Sequence, residues 1–394
     1  MTTLTGLDVL IREDFLRLNG KSIGLVCNQA SVSHDYRHVL EILLAKHQGG
    51  HLQLKAVFGP QHGLFGHTQD NMIEWEADDF RRQPFATYSL YGQHREPTPE
   101  MLKELDVLVI DLQDVGARYY TFIWTTALCI KACAAAGIPV MILDRPNPIN
   151  GIQVEGTLLD PEFASFVGLY PLPIRHGLTF GEIAKYLQSK FFPTADLSVI
   201  QMEGWDRSAY LDQTDAPWAI PSPNMPTVDT AVVYPGGCLI EGTNLSEGRG
   251  TTRPFEIIGA PYLDGWKLAE RLNSRALPGV TFRALQFEPT FNKFAGTLCE
   301  GVFLHVTDRA AFQPVLTFVG LLQDVLSLAP GQFNWNPPPY EYEYLKLPID
   351  ILNGNMWLRE AIEKQVPLNE IRDRFQEECR SFESVRRESL LYPY

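Results

Sequence analysis

Apolar and polar positions along the first half of the chain change rhythm in the manner of strands followed by helices. Apolar runs predict β-strands at residues 22–27, 52–58, 88–91, 106–111 and 138–143. Helical patterns lie between them at 36–47 and 119–136, and Gly137 stands where the longer helix is expected to end. Strands separated by helices with short links predict βαβ units and a mostly parallel sheet, that is, an α/β fold.

The regular rhythm is lost over residues 151–235, where prolines interrupt the chain and one helix is predicted at 180–190. Farther on, the patterns predict strands at 281–287 and 301–307 and helices at 266–273, 311–328, 357–364 and 368–380. A chain of 394 residues, at roughly 150 residues per domain, favours two domains. The change of rhythm places the boundary near residue 230, which gives domains 1–230 and 231–394.

The charge balance excludes one class of partner. Asp and Glu number 47 against 33 Lys and Arg, for a formal net charge of −14. Because a protein that binds a phosphate backbone presents a basic surface, no nucleic-acid partner is expected. No apolar run reaches the length of a membrane-spanning helix, and residues 1–6 lack the features of a signal peptide. The expected location is therefore the cytoplasm.

The motifs give no support for metal, redox or nucleotide chemistry. None of the six cysteines forms a C-x-x-C pair. Neither the G-x-G-x-x-G dinucleotide fingerprint nor the G-x-x-x-x-G-K-[ST] phosphate loop occurs. A nucleotide-dependent α/β enzyme therefore stays open as an alternative on fold analogy alone.

Polar side chains follow four of the predicted strands, and the carboxyl ends of parallel strands lie at one edge of a sheet, where ligands bind. The polar residues at these strand ends are Asn28, then Gln61 and His62, then Gln113, Asp114, Arg118 and Tyr119, and finally Asp144, Arg145 and Asn147. Each residue alone also suits a helix cap or a turn. Four such strand ends at one edge predict a functional cleft.

A second polar cluster covers residues 241–256, a segment rich in Gly and Thr. Its candidate functional residues are Glu241, Asn244, Glu247, Arg249 and Arg253. Paired carboxylates suit acid–base chemistry on a glycosidic bond, and arginines suit bidentate capture of an anion. An exposed loop with ion pairs is the structural alternative. Just upstream, the proline-rich stretch 221–227 holds Asn224 and is suited to wall a sugar site.

These segments resemble the YbbC/NamZ family, which includes bacterial exo-β-N-acetylmuramidases. The resemblance rests on Gly-Pro-Gln-His-Gly at 59–63 and on the motifs at 88–92, 111–121, 143–148, 221–227 and 241–252. It implies a Rossmann-like N-terminal domain, a smaller α+β C-terminal domain and an active site in the cleft between them. It further implies removal of terminal N-acetylmuramic acid from peptidoglycan fragments, without a metal or nucleotide cofactor.

The chain departs from the family pattern at one position and in its start. The family motif is commonly Gly-Pro-Glu-His-Gly, whose Glu is a candidate catalytic carboxylate, and here the position holds Gln61. An amide cannot transfer that proton, so Glu74 is the nearest replacement, with Trp75 beside it to raise the carboxyl pKa. Many family members are exported, whereas no export signal is expected here.

The remaining roles implied by the resemblance are divided between catalysis and binding. Candidates for a base, an electrostatic partner or a proton shuttle are Asp114, Glu241, Glu247 and His62. Candidates for the lactyl carboxylate, which distinguishes muramic acid from N-acetylglucosamine, are Arg118, Arg249 and Arg253. Candidates for other substrate contacts are Asn28, Gln113, Tyr119, Asp144, Arg145, Asn147, Asn224 and Asn244.

Gln61 also favours a different kind of protein. A muropeptide- or sugar-binding relative that kept the cleft and lost the acid would carry such a substitution. Among enzymes, nucleophilic attack by the substrate's own acetamido group and an elimination that leaves an unsaturated sugar both remain open.

Overall fold

The computed structural model describes residues 2–66, 68–69, 73–75 and 84–394. The first half contains α1 Gly6–Arg12, β1 Ser22–Cys27, α2 Val39–Gln48, β2 Gln53–Gly59, β3 Ala86–Ser89, α3 Pro99–Leu102, β4 Val107–Asp111, α4 Phe122–Ala136, β5 Val140–Leu143, β6 Glu155–Leu158, β7 Pro173–Arg175, α5 Phe180–Phe191 and β8 Leu197–Ile200. The second half contains α6 Val228–Gly237, β9 Ile257–Ala260, α7 Gly265–Ser274, β10 Val280–Phe287, β11 Cys299–Val306, α8 Pro314–Leu328, α9 Pro348–Asn353, α10 Trp357–Glu363 and α11 Leu368–Arg387.

A six-stranded sheet forms the centre of the first half. Its strand order is β3-β2-β1-β4-β5-β8, and every neighbouring pair is parallel. The order reverses direction between β1 and β4, and ligands of such sheets bind beyond the carboxyl ends of the strands at this switch point. The predicted α/β, Rossmann-like fold is confirmed.

The local signals that predicted these elements are visible in the structure. Strand β1 has the predicted bounds, and all five residues of β4 are buried, as its unbroken apolar run requires. Helix α4 ends at Gly137, which adopts φ +69° in the left-handed region where glycine carries no steric penalty. Strand β8, which completes the sheet, was not predicted from the sequence.

The second half carries a smaller antiparallel sheet in the order β10-β11-β9, as an α+β domain requires. Strands β10 and β11 and helices α7, α8, α10 and α11 match predicted elements, whereas α6 and β9 were not predicted. The boundary near residue 230 falls inside α6 and stays a prediction. No helix among the described residues is both long enough and apolar enough to cross a membrane.

The C-terminal segment returns to the first half and is fastened there. Glu378, on α11, accepts a hydrogen bond from the backbone N–H of Leu158 at 2.8 Å. The Tyr392 hydroxyl donates to Asp144 Oδ2 at 2.6 Å and accepts from the backbone N–H of Met202 at 2.8 Å. Asp144 also accepts from the backbone N–H of Gly181 at 2.6 Å. This carboxylate therefore joins the start of α5 to the chain end.

We predict that Tyr392→Phe lowers the free energy of unfolding by about 1–3 kcal/mol, because the Met202 N–H loses its acceptor and Asp144 loses a donor in a buried site. Urea unfolding measures the change. Tyr36→Phe is the matched control; its exposed side chain predicts a change within about 0.5 kcal/mol. Equal effects of the two substitutions would contradict this anchoring role.

Candidate active site

A narrow cavity lies at the carboxyl edge of the parallel sheet, where residues of the two halves meet. Six residues singled out in the sequence line it, namely Gln61, His62, Tyr119, Asn224, Glu241 and Arg249. The structure adds residues that were not singled out, chiefly Tyr120, Thr121, Ser222, Tyr340 and Glu341. The family resemblance predicted that the strand ends and the 241–256 cluster lie in one cleft. Residues from both line this cavity, so they share one site.

Gln61 lies just beyond β2 and is fixed by hydrogen bonds on both sides. Its Oε1 accepts from Thr121 Oγ1 at 2.6 Å, and its Nε2 donates to the Tyr91 hydroxyl at 3.2 Å. The next residue, His62, adopts φ +70°, and its Nδ1 lies 2.7 Å from the carbonyl oxygen of Thr68. The two side chains are thus oriented by the surrounding chain before any ligand binds.

Glu241 is a buried carboxylate with a permanent counter-charge. Its Oε1 accepts from Arg249 Nη2 at 2.7 Å, and its Oε2 accepts from the Tyr340 hydroxyl at 2.6 Å. Burial alone would raise the Glu241 pKa, but the charge of Arg249 and the Tyr340 hydrogen bond outweigh it and hold the pKa below its usual range. Glu241 is therefore ionised at neutral pH.

Arg249 is shared between two carboxylates. Its Nε lies 3.2 Å from Glu247 Oε1, and its Nη2 makes the contact with Glu241. Glu247 is buried behind it and also accepts from Lys293 Nζ at 2.9 Å. Two cations and two carboxylates thus balance one another in this corner of the cavity.

Glu341 is the second carboxyl group in the cavity wall, and it is 3% exposed. Its Oε2 accepts from the Tyr91 hydroxyl at 2.9 Å. Burial, reinforced by the negative charge of Glu241, raises the Glu341 pKa to about 7. The cavity therefore presents two carboxyl groups whose environments push their pKa values in opposite directions, an arrangement typical of acid–base pairs.

A tight turn over residues 340–343 places Glu341 in the cavity. Tyr340 and Glu343 exchange two backbone hydrogen bonds of 2.9 Å, and the central residues Glu341 and Tyr342 have φ +45° and +67°. Positive φ at both central positions is the requirement of a type I′ turn. The Tyr342 ring lies against the guanidinium of Arg95, 3.4 Å from ring centroid to Cζ. The turn thus bridges the two halves of the chain.

Glu74, the replacement acid expected from the sequence, lies outside the cavity wall. Its side chain is exposed, and its Oε1 accepts from the Tyr342 hydroxyl at 3.1 Å. The indole of Trp75 packs on Gly59, where an added Cβ would lie 2.4 Å from the ring, and its Nε1 donates to the carbonyl of Pro60. In the same polar segment, His67 and residues 70–72 lie outside the described residues.

Several other candidates are engaged in contacts within the protein. Arg118 is fully buried and donates to the carbonyl oxygens of Thr157, Leu172 and Leu352. Arg145 pairs with Asp111 at 2.5 Å, and Asp114 pairs with His176 at 3.2 Å. Backbone groups or the contacts already described engage the remaining ones at the strand ends, Asn28, Gln113, Asp144 and Asn147.

Two candidates from the 241–256 cluster also lie away from the cavity. Asn244 contacts the 332–334 segment and Tyr262, and half-exposed Arg253 pairs with Glu256 at 3.3 Å. In the described part of the chain, no group of three or more His, Cys, Asp or Glu side chains is arranged to hold a metal ion.

Sequence reasoning missed Glu341 and its turn. The only signal there is the alternation Tyr-Glu-Tyr-Glu-Tyr at 340–344, directly after three prolines. No helical or strand pattern marks this segment, and non-glycine residues at both positions of a type I′ turn are contrary to the usual turn signals.

The raised pKa of Glu341 predicts a pH dependence of stability. A carboxyl whose pKa is higher in the folded than in the unfolded state contributes stability that is present at low pH and is lost as pH rises to about 7. The free energy of unfolding of the wild type should therefore fall from pH 4.5 to pH 8 more steeply than that of Glu341→Gln, by roughly 1–3 kcal/mol. Urea unfolding of both proteins across this range measures the difference, and parallel curves would contradict a raised pKa.

Comparison with known proteins finds family matches over both halves of the chain. The family model described as "Exo-beta-N-acetylmuramidase NamZ, N-terminal" matches residues 23–229, and the corresponding C-terminal model matches residues 232–392. The chain is 45% identical over 390 residues to the peptidoglycan beta-N-acetylmuramidase NamZ of Bacillus subtilis strain 168, covering 98% of this chain and 91% of that protein.

Two crystal structures of DUF1343 family proteins from Bacteroides fragilis NCTC 9343 share the fold. One superposes with a TM-score of 0.87 at 31% identity and covers 99% of both chains. The other has a TM-score of 0.77 at 27% identity and covers 100% of this chain and 99% of its own. Since family models match both halves and a relative at 45% identity spans nearly the whole chain, this protein belongs to the NamZ family.

Proposed function

We propose that the protein hydrolyses the glycosidic bond of a terminal, non-reducing β-N-acetylmuramic acid in peptidoglycan fragments. The single observation that carries the proposal is the cavity wall, in which ionised Glu241 faces the same space as Glu341, whose pKa is raised. Hydrolysis of a glycoside requires two such groups, one to donate a proton and one to stabilise positive charge. Membership of the NamZ family supplies the choice of sugar.

The shape of the cavity supports action at a chain end. Residues from both halves surround it, and the turn at 340–343 lies across one side. An enclosed site built from both halves suits a single terminal sugar better than the middle of a glycan strand, which needs an open groove.

Glu241 is suited to stabilise the transition state. Cleavage of the bond to the anomeric carbon develops positive charge on the sugar ring. A carboxylate that is already ionised and held by Arg249 and Tyr340 needs no reorganisation when that charge appears.

Arg249 is our candidate for contacting the lactyl carboxylate. Among Arg118, Arg249 and Arg253, it is the one that lines the cavity. Arg118 donates its hydrogen bonds to backbone carbonyl oxygens, and Arg253 forms an ion pair with Glu256 outside the cavity. The two carboxylates beside Arg249 use its Nε and Nη2, and its remaining N–H groups are the donors proposed for the substrate.

We predict that Arg249→Ala lowers kcat/KM for a muramoside at least about tenfold more than for the matched glycoside without the lactyl group, since one charge-assisted hydrogen bond is lost. Comparing the two substrates separates recognition from general damage, because loss of the Glu241 counter-charge affects both. Arg253→Ala is the control and should change both substrates alike. Equal losses on the two substrates in Arg249→Ala would remove the assignment.

We place this activity in the cytoplasm, on peptidoglycan fragments undergoing recycling. The support is that the cysteines are free, five of them buried, as suits a reducing compartment. Cell fractionation tests the location directly.

A muropeptide-binding protein without turnover is the second candidate, and Gln61 favours it because an amide replaces the carboxyl of the family motif. The buried pair Glu241 and Glu341 speaks against it, because two carboxyl groups with oppositely shifted pKa values are typical of acid–base catalysis.

Incubation with a disaccharide that carries non-reducing β-N-acetylmuramic acid distinguishes these functions. Mass spectrometry should detect free N-acetylmuramic acid that incorporates ¹⁸O from labelled water. A muramic product lighter by one water would contradict hydrolysis and indicate elimination. Saturable binding without any product would contradict the enzyme and establish the binding protein.

A further inference from the structure

Building on the proposed muramidase activity, we propose that Glu341 is the general acid of this protein and donates the proton that the leaving oxygen requires. Its carboxyl group lies in the wall of the cavity, which the strand-end residues Gln61 and His62 also line although they are far away along the chain. The Tyr91 hydroxyl connects Gln61 to Glu341 through two hydrogen bonds. The assignment moves the acid from the sheet edge to the C-terminal domain.

Excluding the other cavity residues one by one leads to the same group. Among the described residues that line the cavity, two carry a carboxyl group, Glu241 and Glu341. Glu241 is committed to Arg249 and to the Tyr340 hydroxyl, both of which stabilise its ionised form. Gln61 has no acidic proton at neutral pH. Glu341 is therefore the carboxyl that is available in protonated form.

The hydrogen bonds around Glu341 leave one of its carboxyl oxygens for the acidic proton, although the bond from Tyr91 by itself lowers the Glu341 pKa and is outweighed by burial. The Tyr91 hydroxyl accepts from Gln61 Nε2 and donates its single proton to Glu341 Oε2. One oxygen of the carboxyl is thus occupied as an acceptor, so the acidic proton resides on Oε1. With a glutamate at position 61, two carboxyl groups would compete for the one Tyr91 hydroxyl, and the amide removes this competition.

Burial and charge keep that proton in place near neutral pH. The pKa of about 7 matches the requirement that a general acid be protonated and yet able to lose its proton during the reaction. The nearby charge of Glu241 adds to the effect of burial, so Glu341 keeps its proton where Glu241, held by Arg249, has lost its own.

The backbone at Glu341 is strained in a way that fixes its position. A non-glycine residue in the left-handed region costs roughly 1–2 kcal/mol, and the turn contains two in succession. The turn is held at one end by Tyr340 on Glu241 and at the other by Tyr342 against Arg95. Such strain at an observed outlier is typical of functional positions.

The proton balance of the step is complete. Glu341 transfers its proton to the glycosidic oxygen while the bond from the anomeric carbon to that oxygen breaks, and the bonding electrons stay with the leaving oxygen. Water adds to the anomeric carbon and loses one proton, and a proton returned to the Glu341 carboxylate restores the starting state. One water is consumed for each bond cleaved.

An activated leaving group tests this assignment. The 4-nitrophenolate group of an aryl β-muramoside leaves without being protonated, whereas the leaving sugar of a disaccharide needs a proton. We expect Glu341→Gln to lose about 10²–10⁴-fold in kcat on the disaccharide and less than about tenfold on the aryl muramoside. Retained aryl activity also demonstrates that the variant is folded with an intact cavity. Similar losses on both substrates, or no loss on the disaccharide, would overturn the assignment.

The matched control is Glu343→Gln in the same turn. Glu343 lies outside the cavity wall and accepts from the backbone N–H of Leu345, so the disaccharide rate should stay within about threefold of wild type.

The wild-type rate separates the two proposals. If wild type cleaves neither substrate, the muramidase function fails; if it cleaves both and Glu341→Gln does so equally well, only the acid assignment fails.

Discussion

The arrangement of the cavity depends on one buried cation, the guanidinium of Arg249. It lies between Glu241 and Glu247, with Lys293 completing the charge balance on the far side. Two buried carboxylates without it would cost several kcal/mol of folding free energy, since removing one partner of a buried ion pair leaves an uncompensated charge. Because Arg249 keeps Glu241 ionised, Glu241 in turn disfavours ionisation of Glu341. Arg249 thus sets the protonation of Glu241, and the charge of Glu241 adds to burial in raising the Glu341 pKa.

This electrostatic corner is joined to the parallel sheet by the turn at 340–343. Tyr340 reaches Glu241, Glu341 reaches Tyr91, and Tyr342 packs on Arg95, so the turn contacts both halves of the chain. The parallel sheet supplies the edge of the cavity at which its strand order reverses, and the second half supplies the charged side chains of the cavity. Neither half alone encloses the cavity, and the C-terminal segment is also fastened to the first half through Tyr392 and Asp144.

The sequence predicted the parts whose signals are local. Strand β1, the buried strand β4 and the end of α4 at Gly137 follow from apolar runs and from glycine's freedom at positive φ. Three of the six predicted cavity residues, Gln61, His62 and Tyr119, follow strands whose carboxyl ends meet at one edge of the sheet, and the other three come from the 221–227 and 241–256 segments. The roles of the other polar residues depend on tertiary contacts that the sequence does not show. Arg118 and Asp144 follow strands, yet their partners are backbone groups and distant side chains. Glu341 lacked any local pattern, since its position depends on a strained turn and on Tyr91, 250 residues away along the chain.

The most direct measurement is a crystal structure of Glu341→Gln with the intact disaccharide bound. We predict that the muramic ring occupies the cavity beside Glu241, with the side-chain amide at position 341 within hydrogen-bond distance of the glycosidic oxygen. A glycosidic oxygen placed next to Glu74, or a sugar bound outside the cavity, would contradict it.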